Sequence, residues 1–337
     1  MSMRAFWALA PMFLVVLMVT GLAIGRYPIA PVQVIGVVLD SFLSLGAAAE
    51  SVEQRVVGLV RAPRILLAAT LGAGLGVGGA ALQGIFRNPL IGPDIIGIAP
   101  GAAFGGALAI LLIGHPAATI AGAFASGLLA IFVVSAVARA GGSTSTLGLV
   151  LAGVVVGAFF SALISLVTYL ADVNSELPAI LYWLLGSLSG ANYGKLALAA
   201  GIALPAALII IGLRFRINAL ALGDAEARGL GLNVVPIRWA VLGAVTVIVA
   251  AGVAVAGIIG WVGLVVPHLA RLCVGPDHRA QLPAAALIGA ALLVLVDTLA
   301  RSLTAAEIPL SVLTALIGAP IFILVLRGRG RLGWGHG

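Results

Sequence analysis

The residue types best suited to chemistry lie close together in one stretch, LGDAEARGLG at 222–231. Asp224, Glu226 and Arg228 fall within five positions of one another, in a chain of which only 9% of the residues are charged. Gly223 and Gly229 bracket them and predict a helix of about one to two turns. Leucines flank the stretch on both sides, at positions 220, 222, 230 and 232.

These charges could serve acid–base catalysis or the binding of a partner. An apolar side beside a charged rim is typical of short helices that dock in a groove of another protein. A solvated loop that only anchors topology would need the charges but would leave the leucines in water. We therefore interpret Asp224, Glu226 and Arg228 as interface residues rather than catalytic ones.

Two nucleotide-binding motifs can be tested directly. GLGVGG at 74–79 matches G-x-G-x-x-G, but a dinucleotide site needs a preceding strand, and this run lies inside an apolar segment at 65–86. Small residues at this spacing favour close packing of membrane helices. The only lysine, Lys195, is followed by leucine, so no phosphate-binding G-x-x-x-x-G-K-[ST] loop is present. If the protein uses ATP, we expect the ATPase, with its ATP and Mg²⁺, to be a separate chain.

The remaining ionisable residues give little sign of a metal site or of ion coupling. The four histidines and the single cysteine, Cys273, are scattered without metal-ligand spacing, and His268 is better explained as structural or near a partner surface. Ion-coupled transporters keep ionisable groups near the bilayer midplane. Here the carboxylates near apolar runs lie at the ends of those runs, at positions 94, 172, 176, 297 and 307. This weakens stand-alone ion-coupled transport as an alternative, although backbone carbonyls can also hold ions.

The elements that position these residues are membrane helices. Of the 337 residues 62% are hydrophobic, far above the share in a soluble domain. Uncharged runs long enough to cross a bilayer, about 20 residues, lie at 5–25, 65–86, 95–114, 116–138, 147–171, 239–266 and 308–326, with shorter ones at 196–213 and 280–296. Two further pieces, 177–194 and 263–275, are too short or broken to assign. We predict nine to eleven helices in one transmembrane domain over 1–337.

The basic residues sort by loop rather than forming a nucleic-acid-binding tract, despite a formal charge of +7. With ten spans and a cytoplasmic N-terminus, twelve arginines face the cytoplasm and six basic residues face outward. This asymmetry follows the positive-inside rule. It predicts ten helices with both termini in the cytoplasm.

Four segments carry a family resemblance: RAPR at 61–64 with RNPLIGPDIIGIAPGAA at 87–103, LGDAEARGLGL at 222–232, GWVGLVVPHLARLCVGPDHR at 260–279 and EIPLSVLTALIGAP at 307–320. In this order and spacing they closely resemble the permease subunits of ABC importers for iron-siderophore complexes, haem and vitamin B12, the FecCD-type family. The resemblance covers about residues 10–328. It implies an all-α, ten-helix permease of the type II importer fold, without enzymatic activity, in the bacterial or archaeal cytoplasmic (inner) membrane.

The resemblance also implies partners. Such permeases form homodimers with the translocation path at the two-fold interface, dock two cytoplasmic ATP-binding subunits, and receive cargo from a periplasmic or surface substrate-binding protein. An iron-siderophore complex is the first expectation for the cargo, with haem, cobalamin and molybdate open. A stand-alone secondary transporter and a membrane scaffold or channel are the alternatives.

Residue by residue, the resemblance assigns three roles. Docking of the binding protein falls to Arg61, Arg64 and Arg301, for which snorkelling to the interface is the alternative. The cytoplasmic gate falls to Asn88, Pro89 and Leu90 with Ser145 and Thr146, for which ordinary turn residues are the alternative. ATPase coupling falls to Leu222, Gly223, Asp224, Glu226, Arg228, Gly229 and Leu230.

The fifth predicted helix, 147–171, is rich in small residues that could line the path, namely Gly153, Gly157, Ser161 and Ser165. Tight helix packing is the alternative explanation for them. The segment that follows, 182–194, is aromatic at its start and polar at its end, which suits a position near the mouth of the path.

Overall fold

The computed structural model describes residues 3–25, 27–43, 51–140 and 146–330, and this part of the chain is helical throughout, without strands. Its helices are α1 (Met3–Ala23), α2 (Pro31–Leu43), α3 (Val52–Arg55), α4 (Ala62–Phe86), α5 (Ile98–Leu112), α6 (Pro116–Ala140), α7 (Thr146–Leu170), α8 (Glu176–Leu184), α9 (Tyr193–Gly212), α10 (Arg214–Leu222), α11 (Asp224–Gly229), α12 (Val234–Ala256), α13 (Val262–Val274), α14 (His278–Ser302) and α15 (Leu310–Gly330). A π-helical turn, Val56–Arg61, joins α3 to α4.

Within the described ranges, seven helices are long and apolar enough to cross a membrane, and α5, α13 and the part Leu310–Val325 of α15 are shorter apolar stretches. Together they make ten, in agreement with the sequence prediction. Of the two pieces left unassigned, 263–275 largely coincides with the 13-residue α13, one of the shorter apolar helices. The other piece, 177–194, contains only the nine-residue α8, about 14 Å long at 1.5 Å per residue and so too short to span.

The predicted boundaries differ from the structure in two places. The predicted span 239–266 breaks at Gly257, whose φ of 73° ends α12, and the chain becomes helical again at Val262. The predicted helix at 65–86 extends backward through the π-helical turn to Val52, giving a continuous helix of 35 residues.

The centre of the bundle is α4, whose glycines permit contact between backbones. Gly72 faces the carbonyl of Gly289, Gly76 that of Ala285 and Gly79 that of Gly263, and a Cβ at any of the three would collide with the facing oxygen. The GLGVGG run therefore serves helix packing, as predicted, because only small residues allow such an approach.

Two irregular segments reach the level of the middle of α4. Segment 87–97 connects α4 to α5, and segment 257–261 connects α12 to α13. Pro93 of the first segment contacts Gly263 at the start of α13, which in turn packs against the Leu75 carbonyl in the middle of α4. Non-helical backbone at this depth is tolerated because it is enclosed by protein or lines a cavity.

Candidate functional site

One end of the bundle carries the three arginines predicted to dock a binding protein, and we call their cluster the arginine end. It consists of Arg61, Arg64, Asp297, Arg301 and Glu307. Arg64 Nε donates to both carboxylate oxygens of Asp297, at 2.9 and 3.1 Å, and its two terminal nitrogens donate to the two oxygens of Glu307, each at 2.9 Å. One guanidinium thus ties α4 to α14 and to the start of α15.

The other two arginines of this end hold the chain that leaves α1. Arg61 donates to the carbonyls of Leu22, Ala23 and Tyr27, with the first two at 2.6 and 3.0 Å. Arg301 donates to the carbonyls of Gly21 and Ile24, and its Nε lies 3.5 Å from Asp297.

The structure therefore brings the three predicted docking arginines together, but in an unexpected state. All three are at most 7% exposed, and their guanidinium groups are engaged within the chain. They do not snorkel to water. Three arginines face two carboxylates, which leaves a formal charge of +1 within the cluster. The i, i+4 spacing of Asp297 and Arg301 was the one sequence signal for this network. The docking role stays a prediction.

The opposite end carries the predicted coupling segment, and we call it the α11 end. The predicted short helix exists as the six-residue α11. Gly223 precedes it with φ 145°, a region open mainly to glycine, and the Glu226 carboxylate occupies the space that a Cβ at 223 would need. The short helix predicted after Gly223 is therefore present, and the backbone conformation and the space at position 223 require a glycine there.

Of the three charged side chains of α11, Asp224 is held within the chain, whereas Glu226 and Arg228 are exposed and available to a partner. Asp224 accepts hydrogen bonds from Arg238 Nη2 at 2.8 and 3.0 Å, and Arg238 is buried at the start of α12. Arg228 approaches Asp224 only to 4.0 Å, with its side chain 64% exposed. Glu226 is exposed. Sequence reasoning grouped the three residues and missed the anchoring role of Asp224.

The apolar side of this segment is smaller than predicted. Leu222 and Leu230 are exposed, at 66% and 64%, whereas Leu220 is buried in the core and Leu232 packs against it. Two leucines rather than four therefore remain available to a partner.

A second anchor joins the α11 end to α14. Asn218 of α10 donates to Asp277 Oδ1 at 2.6 Å and accepts from the backbone N–H of His278 at 2.8 Å. Hydrogen bonds from the Arg279 side chain hold the pKa of Asp277 well below its usual range. The segment is thus fixed to both α12 and α14, and nothing in the sequence pattern pointed to Asn218.

The predicted gate lies beside this segment. Arg87, with φ 51°, ends α4, and its Nη1 lies 3.4 Å from the position of a Cβ on Gly223. Asn88 accepts a hydrogen bond from the N–H of Leu90 at 2.9 Å, which forms a local turn around Pro89, and Leu90 is half exposed. Ser145 lies outside the described residues, and Thr146 is described only as the first residue of α7.

Between the two ends, segments 87–97 and 257–261 lie beside α7 and α15, and we call the region that these four elements form the central groove, with the two segments as its floor. On one side Gly153 of α7 packs against Ile95 and Ile96, and on the other Gly318 of α15 packs against Trp261. Both flanking helices keep exposed faces, as at Leu151 and Leu316.

The predicted path residues of α7 divide between two faces. Gly153 and Gly157 are buried against the backbone at 95–97, so the packing alternative describes their contacts. Ser161 and Ser165 are exposed. Their hydroxyls donate to carbonyls one turn earlier, at Gly157 and Ser161.

The segment predicted near the mouth of the path joins three elements. After α8, Gly186 accepts a hydrogen bond from the N–H of Leu310 at 3.0 Å, and the N–H of Ser187 donates to the Ala256 carbonyl at 2.8 Å. The end of α8 is thereby fixed to the end of α12 and the start of α15.

Sequence reasoning missed Asp94, which lies on the floor of the groove. Its carboxylate accepts a hydrogen bond from the backbone N–H of Trp261, the residue that precedes α13. Asp94 remains exposed although its neighbours lie at the level of the middle of α4. Two residues with positive φ, Gly97 at 81° and Trp261 at 68°, turn the two segments toward each other.

No group of three or more His, Cys, Asp or Glu side chains that could hold a metal ion occurs in the part of the chain that the structure describes. His268 is buried, and its ring meets that of Phe322 edge-on at 5.4 Å between centroids, which matches a structural histidine.

Comparisons with known proteins place most of the chain in one group. A family model described as the FecCD transport family matches residues 13–328. A molybdate import permease of Haemophilus influenzae is 44% identical over 92% of both chains. A cobalamin import permease of Halobacterium salinarum is 43% identical over 82% of this chain and 74% of its own. A hemin transport permease of Yersinia pestis is 41% identical over 80% and 82%.

Among solved structures, a metal-chelate type ABC transporter in an inward-facing conformation matches with a TM-score of 0.87 and 39% identity, over 96% of this chain and 99% of that one. The all-helical fold inferred from the sequence is therefore confirmed.

Proposed function

Because the chain belongs to the FecCD transport family, we propose that this ABC importer permease carries an iron chelate of the siderophore type through the central groove of two paired copies. That it is an importer permease follows from its relatives. The cargo is the finer step, because relatives at 41–44% identity are named for molybdate, cobalamin and hemin. A relative from Helicobacter pylori, named as a probable iron chelatin permease, is 42% identical.

The chemistry of the groove supports a bulky chelate over a small anion. Apart from Arg87 at its start, segment 87–97 carries one charged side chain, Asp94, and no Asp, Glu, Lys, Arg or His occurs in segment 257–261, in α7 or in the described part of α15 up to Val325. A free oxyanion would need cationic or clustered N–H groups to replace its hydration shell. A chelate already encloses its metal ion, so the path needs only shape and apolar surface.

The α11 end is the observation that supports an ATPase partner. Two exposed leucines and the free charges of Glu226 and Arg228 form a small docking face. Its two anchors, Asp224–Arg238 and Asn218–Asp277, attach that face to α12 and α14. Arg87 lies beside it, so a displacement of α11 reaches the gate segment 88–90 directly. ATP hydrolysis itself belongs to the separate subunit, in this proposal.

The arginine end supports docking of a binding protein on the other side of the membrane. Its formal charge of +1 attracts an acidic surface, and the attraction should weaken as salt screens it. The buried state of the three arginines in this conformation means that docking would have to open part of the network. With the positive-inside orientation, this end faces outward and both termini face the cytoplasm.

The decisive experiment is ATP-driven uptake of a ferric hydroxamate into proteoliposomes that contain the permease, its ATP-binding subunit and its binding protein. We expect uptake to stop in Glu226→Arg and to continue in the matched control Glu226→Gln, which keeps the shape of the side chain near Gly223. Both variants should purify as folded, single species. Normal uptake by Glu226→Arg would remove the coupling role from α11.

The stand-alone secondary transporter is tested in the same vesicles without the ATP-binding subunit. We expect no uptake driven by a proton or sodium gradient. Gradient-driven uptake by the permease alone would contradict the importer assignment.

A further inference from the structure

We propose that Asp94 is a specificity-determining residue of the path, where its carboxylate favours cargo surfaces that carry positive charge or hydrogen-bond donors and repels free oxyanions. This inference rests on the proposed function, in which the central groove is the path. It assigns a cargo-contacting role to a carboxylate that the sequence placed at the edge of an apolar run.

The first step of the argument is depth. Asp94 follows Pro93, which contacts Gly263, and Gly263 packs on the Leu75 carbonyl and faces Gly79. Leu75 is close to the midpoint of α4, which runs from Ala62 to Phe86. Asp94 is therefore at the level of the middle of a membrane-spanning helix. An ionisable side chain at that depth is costly and usually has a function.

The second step is access. Asp94 is exposed in the chain, whereas its neighbours Gly92, Pro93 and Ile96 are buried. A small cavity of about 10 Å³ adjoins it, lined by residues of α4, α12 and the start of α13. This is room for about one water molecule. The carboxylate therefore lies at a wet boundary rather than inside the packed core.

The third step is charge. Asp94 is held by the N–H of Trp261, at the N-terminal end of α13, where a carboxylate is favoured by the helix dipole. Within the segments that form the floor of the groove, Arg87 is the one basic residue, and it lies near Gly223 at the α11 end. A negative charge at mid-depth without a basic neighbour on that floor sets the sign of the local potential.

A cysteine next to Asp94 can report this potential without any knowledge of the cargo. Gly260 is the natural position, because a Cβ there lies 3.9 Å from Asp94 Oδ2 with no closer non-adjacent atom among the described residues. Gly260→Cys is made in a Cys273→Ser background, since Cys273 is the only native cysteine. The measurement is the rate of reaction with a trimethylammonium and with a sulfonate methanethiosulfonate, each normalised to a free thiol.

We expect the cationic reagent to be favoured, and the ratio of the two rates to fall about tenfold in Asp94→Asn, because the nearby unit charge is removed. Asp94→Glu should keep the ratio. A reporter at Asn174→Cys, in the exposed turn after α7, should show the same ratio with or without Asp94→Asn.

Two results would overturn the proposal. One is that the ratio of the cationic to the anionic labelling rate is the same with Asp94 and with Asp94→Asn, in variants that remain folded. The other is no reaction of Gly260→Cys with either reagent, which would show that water does not reach the site. Labelling requires neither ATP nor transport, so it is independent of the experiments on α11. No ATP-driven uptake of the ferric hydroxamate by the wild-type importer, with intact charge selectivity at Gly260→Cys, would refute the proposed function alone.

The selection itself is tested with two probes in the complete importer. Asp94→Asn should raise uptake of molybdate relative to that of a ferric hydroxamate by several-fold, because the repulsion of the oxyanion is gone. An unchanged ratio of the two uptakes would contradict a role of Asp94 in specificity.

Discussion

At the arginine end, Arg61, Arg64 and Arg301 are buried and donate to carboxylates and carbonyls of the same chain. At the α11 end, Arg228 and Glu226 reach solvent, and Asp224 is held by one buried arginine. Both ends were predicted to bind soluble partners, the first from the family resemblance and the second also from its own pattern of charges and leucines. The difference shows that one is closed in this conformation and the other is open, so a partner must rearrange the first but can dock on the second as it stands.

The largest effect should come from Arg64→Met at the arginine end. The substitution leaves Asp297 without its main partner and releases Glu307, and breaking a buried pair costs about 3–5 kcal/mol. We expect a clear fall in thermal stability in detergent, measured by tryptophan fluorescence or loss of monodispersity. The matched control is Arg228→Met, whose exposed pair should contribute less than about 1 kcal/mol.

The stability loss in Arg64→Met could come from the unpaired charge of Asp297 or from lost packing. If it comes from the charge, the double variant Arg64→Met with Asp297→Asn should recover part of the lost stability, because the unpaired charge is then removed. Additive losses in the double variant would show that the two residues act separately.

The next effect should come from Asp224→Asn at the α11 end. Arg238 would remain buried with a weakened partner, and we expect a loss of about 1–3 kcal/mol with α11 loosened from α12. Hydrogen exchange of the α11 amides should accelerate, while that of α4 stays unchanged. Unaltered exchange at α11 would show that the anchor does not fix the helix.

An effect of comparable size but confined to α11 separates Gly223, which precedes the helix, from Gly229, its last residue. Gly223→Ala forces a non-glycine residue into φ 145° and displaces the Glu226 carboxylate, at a cost of about 1–3 kcal/mol. Gly229→Ala is the control, since a Cβ there meets nothing within 4 Å, and it should be neutral or stabilise by about 0.5 kcal/mol. Equal stability of both variants would contradict the strained start of α11.

The smallest effect should be a pH dependence at Asp277. Its pKa is lowered by Arg279 in the folded protein, so its contribution is present above the ordinary pKa of a carboxyl, about 4, and is lost as the pH falls through the lowered value. At pH 7 the wild-type protein should have a higher melting temperature than Asp277→Asn. The difference should be small, because the Arg279 pair is exposed. This difference in melting temperature should become smaller in strong acid. A larger difference there would contradict the stabilising role of the ionised Asp277.

The fold and part of the site could be read from the sequence. Hydropathy placed nine of the ten apolar helices, because crossing a bilayer demands long uncharged runs, and it left α13 unassigned. The glycine run of α4 predicted close packing, and the glycines at 223 and 229 predicted α11, because both features depend on local backbone geometry.

Other features depend on contacts between distant parts of the chain. Arg64 meets Asp297 and Glu307, which follow it by 233 and 243 positions, so its burial is invisible to any local pattern. Gly153, Gly157, Ser161 and Ser165 are all small residues of α7 and look alike in the sequence. Gly153 and Gly157 are nevertheless buried, because segment 87–97 packs against them, whereas the two serines are exposed.

Asp94 shows the same division most clearly. The sequence by itself determined that it follows a helix end, because Asn88-Pro89 stops α4. Only the tertiary structure decided that the chain turns back from there toward the middle of α4 and presents the carboxylate to the central groove. The physical reason is that backbone between two helices can re-enter the membrane wherever other helices enclose it or a cavity opens, a condition set by the packing of the whole bundle.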